Sequence, residues 1–264
     1  MSDRYAVIGN PVAHSRSPAI HAEFARATGE DIEYGRIESP LDGFAREVES
    51  FRAAGGKGLN VTLPFKQEAC RLCARLSGRA RRAQAVNTLR FSDSFGDNTD
   101  GIGLVRDISY NLQYALKDRS VAILGAGGAA QGVVGALMEA GAARLVVANR
   151  TLSKAQVLAS RFPGISACGY EGLVGERFDI VINATSAGLS GAGPELPCGI
   201  LGAWVLAYDM VYGRETRFLA AARKAGARAC DGLGMLVEQA AESFFVWRGV
   251  RPATGPVLAK LRGS

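Results

Sequence analysis

Long apolar runs are missing from this 264-residue sequence. No stretch of about 18 apolar residues occurs, which argues against a membrane-spanning helix. The opening residues, Met1-Ser2-Asp3-Arg4, lead straight into a short strand-like run and lack the basic-then-apolar layout of a secretory leader. Histidine is scarce, with His14 and His21 only. Cysteine is limited to five residues at irregular spacings. Cys70 and Cys73 form a single C-x-x-C, with no second pair and no histidine cluster to complete a four-ligand zinc site, so packing or idle thiols is the expectation. An odd, irregular cysteine set points to reduced thiols in a cytoplasm rather than a secreted disulfide framework. Internal repeats and low-complexity segments are absent as well.

What is present is ordinary in amount and informative in order. Hydrophobic residues make up 48% and charged residues 21%, as in a soluble globular protein long enough to bury its core without staples. The net charge of +6 favours anionic ligands through long-range attraction. The densest basic stretch, Arg71, Arg75, Arg79, Arg81 and Arg82, has no interleaved aromatics and no accompanying nucleic-acid motif. A solvated helix face and loop accounts for it better than a nucleic-acid surface.

Strand and helix signals alternate, which predicts an α/β layer architecture. Tyr5-Ala6-Val7-Ile8 reads as a buried strand closed by Gly9-Asn10-Pro11. Ser17-Pro18 reads as an N-cap followed by proline at the first helical position, the helix running to Thr28-Gly29 with His21 on its surface. Ile32 to Ile37, Leu59 to Thr62 and Val86 to Phe91 read as strands. Leu41 to Ala53 has helical spacing, and Pro64 opens another helix. A boundary is expected near residue 101, after Asp97-Asn98-Thr99-Asp100-Gly101.

Beyond it lies the firmest motif. The strand Ser120-Val121-Ala122-Ile123-Leu124 feeds Gly125-Ala126-Gly127-Gly128-Ala129-Ala130, then a helix to Ala140, then the strand Leu145-Val146-Val147-Ala148. This is the strand, glycine turn, helix and strand context that a dinucleotide fingerprint requires. Gly125 permits the tight turn, Gly127 leaves room for a pyrophosphate, and Ala130 allows close helix packing. The helix N-terminus attracts the diphosphate. Asn149-Arg150-Thr151, with Lys154 one turn on, stands where an NAD site carries an acid, so a 2′-phosphate meets a guanidinium instead of a carboxylate. A surface role for Arg150 is the simpler alternative. The runs Asn183 to Gly188 and Met210-Val211-Tyr212 follow two further strands and are candidates to border the cofactor.

Taken together, these runs resemble shikimate dehydrogenases over nearly the whole chain: Ile8-Gly9-Asn10-Pro11, His14-Ser15-Arg16-Ser17-Pro18, Asn60 to Lys66, Ala85-Val86-Asn87-Thr88, Asn98-Thr99-Asp100-Gly101, the glycine loop, Asn149-Arg150-Thr151, Asn183-Ala184-Thr185, Asp231 to Leu236 and Gln239. The family often has an acidic residue near Arg75 or Gly78, and glycine where Gln84 stands. The resemblance implies an N-terminal α/β substrate domain over residues 1–100. It implies a Rossmann-like, doubly wound NADP-binding domain over 101–235, and last helices, 236–264, that return to the first domain. It implies reduction of 3-dehydroshikimate to shikimate by NADPH, in chorismate and aromatic amino-acid biosynthesis. Carboxylate contacts map to Ser15 and Ser17. Ring contacts map to Asn60, Thr62, Asn87, Asp100, Tyr212 and Gln239, and the catalytic pair to Lys66 and Asp100. Gly125, Ala126, Gly127, Gly128, Ala129, Asn149, Arg150, Thr151, Lys154, Thr185 and Met210 map to the cofactor, with Gly232 and Met235 on its nicotinamide side. The expected partner is the small substrate, with no nucleic acid, no membrane and no metal, in a cytoplasmic monomer or homodimer.

The residue types suit that chemistry. Hydride arriving at a carbonyl carbon leaves charge on oxygen, which needs a proton donor or a positive neighbour. Lys66 can be both, and Asp100 can hold the ammonium. A snorkelling Lys66, a turn-forming Asp100, a purely capping Ser17 and a core Met235 are the simpler alternatives. Two other functions compete with the biosynthetic enzyme: a quinate-accepting relative that uses NAD, and a non-catalytic NADP-binding sensor. Asn149-Arg150 weighs against NAD use, and the intact Lys66 and Asp100 weigh against the sensor.

Overall fold

Apolar runs of strand length, separated by helical patterns, sort into two sheets of six strands each. The structure, a computed structural model, describes residues 2–185, 193 and 196–263. The chain divides into two compact units, Met1–Leu104 with Leu236–Ser264, and Val105–Met235.

In the first unit the order is β1 (Asp3–Gly9), α1 (Ser17–Thr28), β2 (Ile32–Glu38), α2 (Phe44–Ala53), β3 (Gly58–Val61), α3 (Lys66–Leu72), β4 (Arg75–Leu76), α4 (Gly78–Ala83), β5 (Thr88–Arg90), β6 (Phe95–Asp97) and the start of α5 (Asp100–Arg106). Its sheet runs β2-β1-β3-β5-β6-β4. The strands β2, β1 and β3 are parallel, and β5 pairs antiparallel with both β3 and β6. The core gathers Ile8, Leu59, Val61, Phe44 and Phe65. The carboxyl ends of β1 and β3 carry the loops that contain Ser15 and Thr62.

The second unit continues α5 through a π-helical turn at Asp107–Asn111 and then builds β7 (Ser120–Leu124), α6 (Gly128–Glu139), β8 (Arg144–Ala148), α7 (Leu152–Ala159), β9 (Ser166–Cys168), β10 (Ile180–Asn183), β11 (Leu206–Asp209), α8 (Arg217–Lys224) and β12 (Arg228–Cys230). The helix α9 (Leu233–Arg248) carries the chain back to the first unit, which ends in α10 (Gly255–Arg262). Every strand pair in this sheet is parallel, in the order β12-β11-β10-β7-β8-β9. Counted from β7, that is the doubly wound dinucleotide-binding order, with its switch point between β7 and β10. The central strands are apolar over Val121–Leu124 and Ile180–Ile182 because a parallel sheet is buried on both faces.

Several local expectations are corrected. The helix α1 begins at Ser17 itself, its N-cap is Arg16, and no side chain caps it, so Ser17 is not the cap. His21 is fully buried rather than on the helix surface. The helix expected from Leu41 begins at Phe44, and Val86 to Phe91 narrows to a three-residue strand followed by a 3₁₀ turn at Phe91–Asp93. Cys73 lies just past the end of α3. Arg79 is not a solvated charge: it turns inward onto Asp97 and Glu242. Gln84 adopts a left-handed backbone, φ 53°, a conformation that favours glycine.

Candidate active site

Lys66 is the first residue of α3 and Asp100 the first of α5. Their side chains meet at 2.5 Å, and both are largely withdrawn from solvent, at 15% and 7% exposed. The other Asp100 oxygen, Oδ1, accepts from Asn87 Nδ2 at 2.8 Å. Asn87 cannot be turned over, because the Thr99 backbone N–H donates to its Oδ1 at 2.8 Å and a backbone amide can only donate. Gln239, on α9, places its Oε1 3.3 Å from Asn87 Nδ2 and gives its own amide hydrogen to the Leu236 carbonyl at 2.8 Å. Asn60, on β3, donates to the Asn87 carbonyl at 3.1 Å. Five of the residues expected from the sequence, Lys66, Asp100, Asn87, Gln239 and Asn60, thus share one hydrogen-bonded group. Thr62 follows β3 and packs its methyl close to Gly9, so a side chain at Gly9 would collide with it.

The loop that carries Asp100 is braced from below. Asp97 accepts from Ser77 Oγ at 2.5 Å, from Arg79 at 2.8 and 2.6 Å, and from the Asn98 N–H at 2.7 Å. Burial pushes the Asp97 carboxyl up, but the Arg79 guanidinium outweighs it and holds the group below the ordinary aspartate value. Arg79 also reaches Glu242 on α9 at 2.9 Å.

Ser15 and Ser17 are both buried at the entry to α1. Ser15 Oγ accepts the Ser17 N–H at 3.3 Å, which leaves its hydrogen free to donate elsewhere. Arg36 grips the Ser15 carbonyl with two donors, at 3.1 and 2.6 Å. Tyr34 donates to Asn60 Oδ1 at 2.7 Å, and its oxygen is also hydrogen-bonded to Ser17. His21 stacks on Tyr34 with ring centroids 4.2 Å apart, and among the described residues neither imidazole nitrogen has a hydrogen-bond partner. Burial lowers its pKa to about 3, outweighing the neighbouring Asn60 side chain, which favours the charged form. Tyr34, Arg36 and Ser243 stand outside the runs that the sequence singles out, and Thr99 stands inside one without a role of its own. The two-residue step from Tyr34 to Arg36 along β2 was the one usable signal, since it puts them on one face.

In the second unit the expected cofactor residues gather at the carboxyl ends of its strands. Gly125 has φ 106°, and a Cβ there would press on Ala184 and Thr185, so only glycine makes this turn without strain. Among the described residues, a Cβ on Gly127 or Gly128 would meet nothing beyond its chain neighbours and its own helix within 4 Å, which leaves an open cradle at the N-terminus of α6. Ala126 and Ala129 flank it. Asn149 follows β8 and donates to the Thr151 carbonyl at 2.8 Å, while Arg150, Thr151 and Lys154 are exposed. Thr185 follows β10 and donates to Asn183 Oδ1 at 2.7 Å. Met210 follows β11 and takes the Asn183 carbonyl at 3.0 Å. Gly232 follows β12 and lies so near the Met210 carbonyl that a Cβ would clash. Met235 is buried, and Tyr212 is half-buried after β11. The donor set, a glycine turn, free helix N–H groups and a guanidinium with no opposing acid, fits a dinucleotide carrying a 2′-phosphate. Ser186, Ala187 and Gly188 lie outside the described residues. Cys73 donates to the Ala69 carbonyl at 3.2 Å, and burial pushes its thiol up to about 12, so it is inert packing.

Three family descriptions match in sequence order: a shikimate dehydrogenase substrate-binding domain over residues 7–89, shikimate/quinate 5-dehydrogenase over 108–190, and a shikimate 5′-dehydrogenase C-terminal domain over 232–262. A protein from Nitrosospira multiformis named shikimate dehydrogenase (NADP(+)) is 58% identical, covering 100% of this chain and 98% of its own. Among solved structures, an Ael1 enzyme from Pseudomonas putida is 50% identical with a TM-score of 0.92 over 98% of each chain. A Thermus thermophilus shikimate 5-dehydrogenase in complex with NADP(H) and shikimate is 36% identical, with a TM-score of 0.89 over 99% of each chain.

Proposed function

The chain belongs to the shikimate dehydrogenase family, and from that premise we infer that it interconverts 3-dehydroshikimate and shikimate with NADP(H), a step of chorismate and aromatic amino-acid biosynthesis. The observation that carries the chemistry is the Lys66–Asp100 pair at 2.5 Å.

Lys66 donates to one Asp100 oxygen and Asn87 to the other, so Asp100 accepts at both ends, as a carboxylate does. That leaves Lys66 as the proton donor. In the reducing direction its ammonium faces the substrate carbonyl oxygen, supplies positive charge as the oxyanion develops, and delivers the proton. In the oxidising direction the neutral amine takes the hydroxyl proton. Asp100 fixes the amine and accepts from the neighbouring ring hydroxyl, while Asn60, Thr62, Asn87, Tyr212 and Gln239 set the ring's orientation. Ser15 donates to the carboxylate beside the cation of Arg36, and Ser17, whose hydroxyl proton goes to Tyr34 in the free protein, turns that proton to the carboxylate when substrate binds. NADPH, when bound, supplies the hydride. Gly125 to Ala129 cradle its diphosphate, Arg150 with Asn149, Thr151 and Lys154 reads the 2′-phosphate, Thr185 and Met210 border it, and Gly232 and Met235 face the nicotinamide.

The five unpaired cysteines suit work in a reducing cytoplasm. Among the described residues no helix is long and apolar enough to cross a membrane. A monomer or homodimer completes the reading. The test is absorbance of reduced nicotinamide with shikimate or quinate, each with NADP+ or NAD+. Shikimate with NADP+ gives the highest kcat/KM; preference for quinate, or no turnover at all, overturns the assignment. In the same assay Lys66→Ala lowers kcat by roughly 10²–10⁴ and leaves NADP+ affinity unchanged, and near-normal kcat would remove Lys66 from the mechanism.

A further inference from the structure

A proton count through the group behind Asp100 leads to a residue that no site motif contains. Asn87, held by the Thr99 N–H, spends its two amide hydrogens on Asp100 Oδ1 at 2.8 Å and Thr99 Oγ1 at 2.9 Å. Thr99 Oγ1 therefore accepts, and its own proton must go elsewhere. Asn60 is fixed in the same way: its Nδ2 faces the Asn87 carbonyl at 3.1 Å, and of its two hydroxyl contacts the nearer, Ser243 Oγ at 2.9 Å, accepts the second hydrogen, with Thr88 Oγ1 at 3.2 Å. Ser243 is fully buried on α9 and gives its hydrogen one turn back to the Gln239 carbonyl at 3.0 Å. One acceptor site remains on Ser243. Two hydroxyls lie beside it, Thr88 at 2.8 Å and Thr99 at 3.1 Å. Thr88 has Asn87 Oδ1 to donate to at 2.9 Å. Thr99 lies farther from that oxygen, at 3.2 Å, so giving Thr88 the shorter contact sends the Thr99 proton to Ser243, with the Gln239 side-chain oxygen at 3.4 Å.

We propose that Ser243 is a positioning residue for the catalytic pair. It is the acceptor that draws the Thr99 proton away from Asn87, so that Asn87 keeps one hydrogen on Thr99 and one on Asp100. The chain runs from the α9 backbone through Ser243, Thr99 and Asn87 to Asp100 and Lys66. Without the Ser243 hydroxyl, the Thr99 proton turns toward Asn87 Oδ1, 3.2 Å away, and competes with the contacts that aim the amide. Asp100 then loses a steady donor, and with it the orientation in which it holds the Lys66 ammonium.

The inference rests on Lys66 and Asp100 being the catalytic pair, so its test carries Lys66→Ala as a separate arm. Ser243→Ala is helix-compatible and removes one oxygen; Thr99→Val removes the partner hydroxyl at nearly constant shape. In shikimate oxidation with NADP+, Ser243→Ala lowers kcat by roughly two- to tenfold, the worth of one neutral hydrogen bond. KM for shikimate and NADP+ affinity stay at the parent values, while the lost buried hydroxyl lowers the thermal midpoint by roughly a few degrees. Because both hydroxyls act in one chain, the double variant is no slower than Thr99→Val alone. Unchanged kcat in Ser243→Ala, losses that multiply in the double variant, or a loss carried wholly by KM or by NADP+ affinity would each overturn the proposal. If Lys66→Ala keeps its turnover, the catalytic-pair reading itself fails.

Discussion

His21 makes folding stability depend on pH. It sits in α1 against Phe24, Tyr34, Phe244 and Trp247, with no partner among the described residues for either nitrogen. Burial disfavours the imidazolium and lowers its pKa from 6.5 to about 3. The folded protein therefore holds this residue neutral, while the unfolded chain binds a proton below 6.5. Its contribution is fully present above the unfolded pKa and is lost as pH falls toward 3, because the unfolded state takes up more protons there. From pH 7.5 to 5.0 the proton uptake integrates to about 2 kcal/mol, on the scale of 1.36 kcal/mol per pKa unit. The perturbation is His21→Phe, which keeps an aromatic ring in the stack and removes the titration. Urea unfolding of both proteins at half-unit steps across that range gives two stability curves. Carboxylates and exposed groups titrate alike in both and cancel in the difference. The larger ring shifts the variant's absolute stability by packing, but that offset does not vary with pH. The difference curve bends downward for the parent below pH 6.5, by about 2 kcal/mol at pH 5.0. Parallel curves would refute the reasoning, since they would mean that the imidazole keeps water or a partner in the folded state.

Two further outcomes test the ligand sites. Ser15→Ala raises KM for shikimate roughly tenfold with kcat little changed, since a charge-assisted hydrogen bond contributes about 1.5–3 kcal/mol; an unmoved KM would take Ser15 off the carboxylate. Arg150→Ala weakens NADP(H) binding by roughly ten- to hundredfold and leaves NAD(H) nearly untouched, with raised salt hurting the parent more than the variant. Equal losses for both cofactors would mean that Arg150 only holds its loop.

The fold of the second unit was readable because its physics is local. A parallel strand buried on both faces must be apolar throughout, as Val121 to Leu124 are, and a φ of 106° at Gly125 admits little but glycine. Where local preference competes with packing, the reading failed. Ser17-Pro18 has the composition of a cap and first turn, yet the helix takes Ser17 inside and leaves its hydroxyl for Tyr34. His21 has a polar side chain at a helix position, yet four aromatic rings close over it. Arg79 sits in a basic stretch that looks solvated, yet two buried carboxylates recruit it.

The same contrast separates the candidate site into what sequence can and cannot disclose. Residues expected to touch the ligand carry demanding chemistry, an ammonium beside a carboxylate or paired amides, and few substitutes serve, so they stand in recognisable runs. The groups that aim them need only one lone pair or one proton at the right point. A serine, threonine or tyrosine hydroxyl meets that need from any element, and Ser243 meets Asn60 across a sequence separation of 183 residues. Nothing in composition or spacing marks such a hydroxyl, because its value lies in closing a count of donors and acceptors that exists only after folding. The count is nonetheless strict. A backbone N–H fixes one amide, a backbone carbonyl fixes the next, and each remaining hydroxyl has a single proton to give. Changing one supporting hydroxyl therefore redirects a whole chain of protons, and its effect surfaces in the turnover that Lys66 and Asp100 carry rather than in affinity for substrate or cofactor.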